Sequence, residues 1–203
     1  MSSGEAYDRT KFRFTLVELL VALGVIVLLI LLAMVAIATT RARARSSQCQ
    51  SNLKQICLAV RSAQVNLEGR LRASELPAQL QSFLADEPGV WHCPSNELTQ
   101  GVSYGFNQRL GRLHVDDGSK IVGLDYGKRV ADVVGLPVKD AWPADVRPRH
   151  FDAVNVVFFD SHTQNLAAEV IDPRQCENQL RYWTPTLDRH RLPEECRAEA
   201  DSG

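Results

Sequence analysis

Two histidines and an aspartate, a carboxylate set inside an apolar run, and five cysteines are the groups in this chain whose types and spacing could do chemistry. His150, Asp160 and His162 offer two imidazoles and a carboxylate, donors competent for a divalent cation. The alternative is a hairpin turn at Asp160-Ser161-His162, with His150 bonding across to stabilise it, and this is the expectation we carry forward. Asp86, His92 and Ser95 are the residue types of a hydrolytic trio, but closeness in sequence is not triad geometry. Neither an H-E-x-x-H nor a phosphate-loop pattern occurs in the chain. The expected protein is not an enzyme, and neither a cofactor, a bound metal nor a small-molecule substrate is expected.

Cys49, Cys57, Cys93, Cys176 and Cys196 include no C-x2-C pair. That spacing favours disulfides in an oxidising compartment over zinc ligation. Four of these cysteines allow three connectivities. Cys49 lies on an apolar helix face aimed at the domain core, where Cys93 could meet it. Cys176 and Cys196 bracket a polar C-terminal stretch and would close it as a loop. Cys57 is left over as a small buried thiol.

The elements that must position these groups begin with Phe14–Ala38, an apolar run whose one charge is Glu18. At about 1.5 Å per residue it is roughly 37 Å long as a helix, against about 30 Å of bilayer hydrocarbon. The run leads to Thr39-Thr40-Arg41 rather than to a small-residue cleavage site, so an anchor is expected and not a cleaved secretory signal. A carboxylate inside such a span costs on the order of 2.5 kcal/mol or more unless it is paired or near the interface. Glu18 therefore needs a partner. Arg9, Lys11 and Arg13 precede the span and Arg41, Arg43 and Arg45 follow it, so charge alone sets no topology.

Beyond the span, Cys49, Leu53, Ile56, Val60, Ala63 and Leu67 recur at helical spacing and predict an amphipathic continuation ending at Gly69. Arg41, Arg43, Arg45, Lys54, Arg61, Arg70 and Arg72 make this stretch basic. A solvated helix surface beside a membrane accounts for them, and nucleic acid is not an expected partner. A short helix is predicted around Pro77–Ala85, closed by a turn at Asp86-Glu87-Pro88-Gly89. Apolar runs at 102–106, 121–126, 154–159 and 163–166 then read as strands of a small antiparallel sheet. With 203 residues, a net charge of −1 and 45% hydrophobic residues, the chain has enough left after the anchor for one domain of α+β class.

Phe14-Thr15-Leu16-Val17-Glu18-Leu19-Leu20 resembles the prepilin signal of type IV pilins and type II secretion pseudopilins. In that family a prepilin peptidase cuts before the Phe, the new amine is methylated, and the helix becomes an assembly handle. The resemblance implies that Glu18 meets the Phe14 amine of a neighbouring subunit. Arg13 stands where the family has glycine before the cut, which puts cleavage in question.

Ser47-Gln48-Cys49-Gln50-Ser51-Asn52-Leu53-Lys54-Gln55-Ile56 is similar to the QCxxNLKQI stretch of a large bacterial subgroup of prepilin-like proteins. Cys93-Pro94-Ser95 and Ser103-Tyr104-Gly105-Phe106-Asn107 look like that group's CPS and SYxxN elements. Arg149-His150, nine residues and then Asp160 match its H-x9-D-G signature, with Ser161 in place of glycine. The subgroup resemblance favours a Cys49–Cys93 pair.

The resemblance implies a pilin-like fold, a long helix laid on a small sheet. It divides the chain into a cytoplasmic leader (1–13), a transmembrane helix (14–38), its amphipathic continuation (39–70), an extracytoplasmic domain (71–170) and a polar extension (171–203). The implied location is the bacterial inner membrane, single-pass, with the N-terminus cytoplasmic. The implied partners are that membrane, the peptidase and other pilin-like subunits. The alternative is a permanently anchored extracytoplasmic binding or scaffold domain that is never polymerised.

Overall fold

A computed structural model describes residues 15–67, 70–84, 88–96, 101–194 and 196–197. The chain divides into two units, one ending at Arg41 and the other beginning at Ala42. A single α-helix, α1 (Leu16–Leu67), supplies all of the described secondary structure of the first unit. It is long and apolar enough to cross a membrane. The described apolar side chains of that stretch, Leu16 to Ile37, are exposed, as suits a surface meant for lipid or for other helices.

In the second unit, α1 buries one stripe. Cys49, Leu53, Ile56, Val60 and Ala63 are all fully buried, as their spacing predicts, and Cys57 and Ala59 widen the stripe. Gly69 lies outside the described residues. The predicted helix at Pro77–Ala85 is instead three short turns, Ala73–Glu75, Leu76–Gln79 and Gln81–Phe83. Leu80 leaves helical geometry (φ −101°, ψ 1°), and Leu76 and Leu80 both reach the core. Gln79 also ties this turn back to the preceding chain, accepting from the Arg72 amide and donating to the Arg70 carbonyl.

Among the described residues, five strands form one sheet: β1 (Tyr104–Asn107), β2 (Ile121–Asp125), β3 (Val130–Ala131), β4 (Val154–Phe158) and β5 (Thr163–Leu166). Their order is β3-β1-β2-β4-β5. The sheet is mixed and not purely antiparallel, because β3 runs parallel to β1 with Phe106 opposite Val130. A strand of two residues carries no alternation that a sequence pattern could reveal. The close approach of β1 to the chain that follows β2 depends on glycine, since a Cβ at Gly105 would sit 2.6 Å from the Lys128 carbonyl oxygen and 2.7 Å from Tyr126 Cβ.

Both faces of the sheet are covered. The α1 stripe packs with Tyr104, Phe106, Val122 and Val157, while Leu124, Tyr126, Val154, Val156 and Phe158 pack with Trp142, Ile171 and Trp183. The segment after residue 170 is therefore part of the domain and not an appended polar loop. Asn107 Nδ2 donates to the Trp183 carbonyl at 2.9 Å, Trp183 Nε1 donates to the Ile171 carbonyl at 2.7 Å, and Lys120 Nζ donates to the carbonyls of Leu180 and Arg181.

Candidate functional site

Arg13 and Phe14 lie outside the described residues. Glu18 has a local partner that its sequence position advertises. The Glu18 amide donates to Thr15 Oγ1 at 3.2 Å, and the Thr15 amide donates back to Glu18 Oε2 at 3.5 Å. This reciprocal pair is a capping box, whose T-x-x-E signature precedes the apolar run in the sequence. It satisfies two helix-terminal amides and places a carboxylate where the helix dipole favours negative charge.

The two disulfides are Cys49–Cys93 and Cys176–Cys196, with Cα atoms 5.2 and 5.0 Å apart. The first bolts α1 to the segment leading into β1. The second closes the C-terminal segment that covers the far face of the sheet. Cys57 is the free thiol, buried, donating from Sγ to the Phe158 carbonyl at 3.3 Å. Burial pushes this thiol up to about 11, only partly opposed by its contact with Ser161 and the charge of Arg61. It is held as an unreactive thiol.

His150, Asp160 and His162 are not brought together. The five residues of β4 separate His150 from Asp160, roughly 17 Å of strand at about 3.3 Å per residue. His150 also does not brace the Asp160 turn. It opens a two-residue hairpin of its own at the other end of β4, exchanging both backbone hydrogen bonds with Ala153 around Phe151 (φ 56°) and Asp152 (φ 58°). The turn expected at Asp160-Ser161-His162 is present. The Ser161 amide donates to the Phe158 carbonyl, the Phe158 amide donates to the His162 carbonyl, and Ser161 takes φ 74°. A three-residue hairpin loop with a left-handed third residue explains the position where the resembled signature carries glycine. Asp160 Oδ1 accepts from the His162 amide at 3.0 Å and touches His162 Nδ1, so these two residues stabilise the turn locally.

The side chain of His150 goes inward. Its Nε2 lies 3.2 Å from Cys93 Sγ and 3.8 Å from Asp125 Oδ2. Asp125 is fully buried at the end of β2. Burial pushes its carboxyl up to about 7, against the lowering effects of the Asn155 amide, which donates to Oδ2 at 2.8 Å, and of Arg149, 3.6 Å from Oδ1. The His150 imidazole is shifted down, first by burial and then by the Arg149 charge. Arg149 itself is fixed by donating to the Ser103 carbonyl at 2.7 Å.

Next to this centre, Asn155 Oδ1 accepts from Gln50 Nε2 at 3.0 Å, Asn165 Nδ2 at 3.0 Å and Ser46 Oγ at 3.4 Å. Asp125 and Asn155 are not among the residues the sequence singles out, and Arg149 enters there only beside His150 in the resembled signature. The signal available was a charged or amide residue inside an apolar strand, at Leu124-Asp125-Tyr126 and Val154-Asn155-Val156, where a polar side chain is buried only with partners.

A second buried carboxylate, Asp188, belongs to the C-terminal segment. Arg112 reaches it at 2.9 Å, Arg191 at 3.5 Å and Arg109 at 4.0 Å. The basic residues of the α1 stretch, Arg41, Arg43, Arg45, Lys54 and Arg61, are exposed. No family model, no curated protein and no solved structure matches this chain.

Proposed function

We propose that this chain is a pilin-like structural subunit of a type II secretion or type IV pilus-like assembly in a bacterial inner membrane, polymerising through α1 rather than acting as a catalyst. The observation that carries the reading is the composition of that helix. Over Leu16–Ala38 the described side chains are exposed and apolar with Glu18 as the one charged residue, and from Ser46 onward the helix buries a stripe in a disulfide-bonded domain. A helix with two such halves has one part to give to a bundle of other helices and another part to hold its cargo domain.

Glu18 would act in two states. In the isolated chain its carboxylate is engaged by Thr15. On assembly it would exchange that weak local bond for the methylated amine of Phe14 on a neighbour, a charge-assisted contact made stronger by the apolar surroundings. The prepilin peptidase and other pilin-like subunits are the partners this requires.

The second reading, a permanently anchored extracytoplasmic binding or scaffold domain, is favoured by the capping box itself, which gives Glu18 a role without any neighbour, and by Arg13 at the cleavage position. Intact-mass measurement on protein from the native host separates the two. A chain beginning at methylated Phe14, with Glu18→Ala abolishing filaments while leaving the chain in the membrane, is the expected result. A chain that keeps residues 1–13 sinks the filament reading.

A further inference from the structure

The ligand atoms of Cys49, Cys93 and His150 lie within 4.8 Å of one another, and all three residues are buried. Two cysteine sulfurs and an imidazole nitrogen are the donors of a thiophilic divalent cation, above all Zn²⁺. Three separate pieces of the fold deliver them: α1, the segment before β1 and the hairpin ahead of β4.

A closed tetrahedral site takes a fourth ligand, and Asp125 stands beside His150. Its Oδ2 is 3.8 Å from His150 Nε2, beyond hydrogen-bond reach. Among the described residues its Oδ1 has no hydrogen-bond partner although the side chain is fully buried, and the Arg149 guanidinium faces it at 3.6 Å. Nitrogen and oxygen ligands at about 2.0–2.1 Å from one tetrahedral ion stand roughly 3.3 Å apart. The observed spacing is within about half an ångström of that geometry. A disulfide alone needs neither the imidazole nor the carboxylate.

Asp125 and Arg149 already offset one another. Opening the disulfide gives two neutral thiols, and the two thiolates that ligation requires would be offset by the dication that displaces their protons.

We propose that Cys49, Cys93, His150 and Asp125 form a redox-gated site for Zn²⁺, closed as a disulfide in the oxidised protein and metal-binding in the reduced one. A dithiol reductant passes two electrons and two protons to the Sγ–Sγ bond, which breaks into two thiols while the dithiol closes to its own disulfide. Zn²⁺ then displaces both thiol protons to water, and His150 contributes the Nε2 lone pair. This site is independent of whether α1 polymerises.

The test uses the full chain in detergent micelles with Cys57→Ser, Cys176→Ser and Cys196→Ser, so that Cys49 and Cys93 are the cysteines left. The protein is reduced with a dithiol, freed of it without air, and titrated with Co²⁺ as a spectroscopic probe. The expected result is a single equivalent of Co²⁺ giving thiolate-to-cobalt charge transfer and tetrahedral d–d bands, displaced by Zn²⁺ and lacking in the oxidised protein. His150→Ala and Asp125→Asn each weaken Co²⁺ binding by about tenfold or more. A reduced chain that keeps its far-ultraviolet circular dichroism but shows no charge-transfer band overturns the proposal, as does a band unchanged by His150→Ala. If reduction unfolds the chain, recovery of its helical signal together with the band on adding metal supports the site. A chain that stays unfolded with metal present refutes it.

Discussion

Gln50 Nε2 donates to Asn155 Oδ1 at 3.0 Å, joining α1 to β4 across 105 residues of sequence. The same oxygen accepts from Ser46 and Asn165, so one fully buried amide holds a helix and two strands in register. Register matters here because the faces of a strand alternate with a period of two.

Asn155→Ala leaves Ser46, Gln50 and Asn165 short of an acceptor. The expected cost is about 1–3 kcal/mol of domain stability, measured by denaturant unfolding of the chain in micelles. Asn155→Asp is expected to be worse at neutral pH than at acid pH, because it sets a second carboxylate beside Asp125.

Asp125 makes stability pH-dependent in an uncommon direction. Its folded carboxyl is raised from an ordinary 3.8 to about 7, so its contribution is fully present below the unfolded value and is lost as pH rises through about 7. His150 acts oppositely, since its lowered value removes stability as pH falls below the ordinary 6.5. Arg149 and the Asn155 amide face the same carboxylate and limit the effect. Subtracting the stability profile of Asp125→Asn from that of the natural chain isolates the Asp125 contribution, and a difference that does not fall between pH 3.8 and 7 contradicts the assignment.

Ser161 occupies the left-handed region at φ 74°, where a Cβ costs about 1 kcal/mol or more. Ser161→Gly removes that strain and gives up only a 3.8 Å contact between Ser161 Oγ and Cys57 Sγ. A rise in melting temperature of about 2–4 °C is expected. Ser161→Ala keeps the strain and loses the contact, so its melting temperature should not rise.

The C-terminal segment hangs on Asp188. Asp188→Ala releases Arg112, Arg109 and Arg191, which are partly exposed and regain water, so the expected loss is about 1.5–3 kcal/mol and not that of an orphaned buried charge. Limited proteolysis should then cut between Thr186 and Leu192 faster than in the natural chain.

The α1 stripe from Cys49 to Ala63 is legible in sequence from its helical spacing, and four of the five described strands from short apolar runs bounded by turn residues. β3 was too short to show one, and the sheet's far cover comes from Ile171 and Trp183, isolated apolar residues whose partners are distant in sequence. The same limit hid the buried centre. His150 was visible as a metal-competent side chain, but sequence distance paired it with Asp160, whereas the fold pairs it with Cys93 and Asp125. The Thr15–Glu18 cap is legible as T-x-x-E ahead of the apolar run, a local partner for Glu18 that the cost of a buried carboxylate does not by itself reveal.

The bonds between α1 and β4 also set an order in time. Ser46 and Asn155 are 109 residues apart, and a ribosome adding about 5–20 residues per second needs roughly 5–20 s to pass from one to the other. Over that interval the stripe of Cys49, Leu53, Ile56 and Val60 emerges before the strand it will lie against has been synthesised.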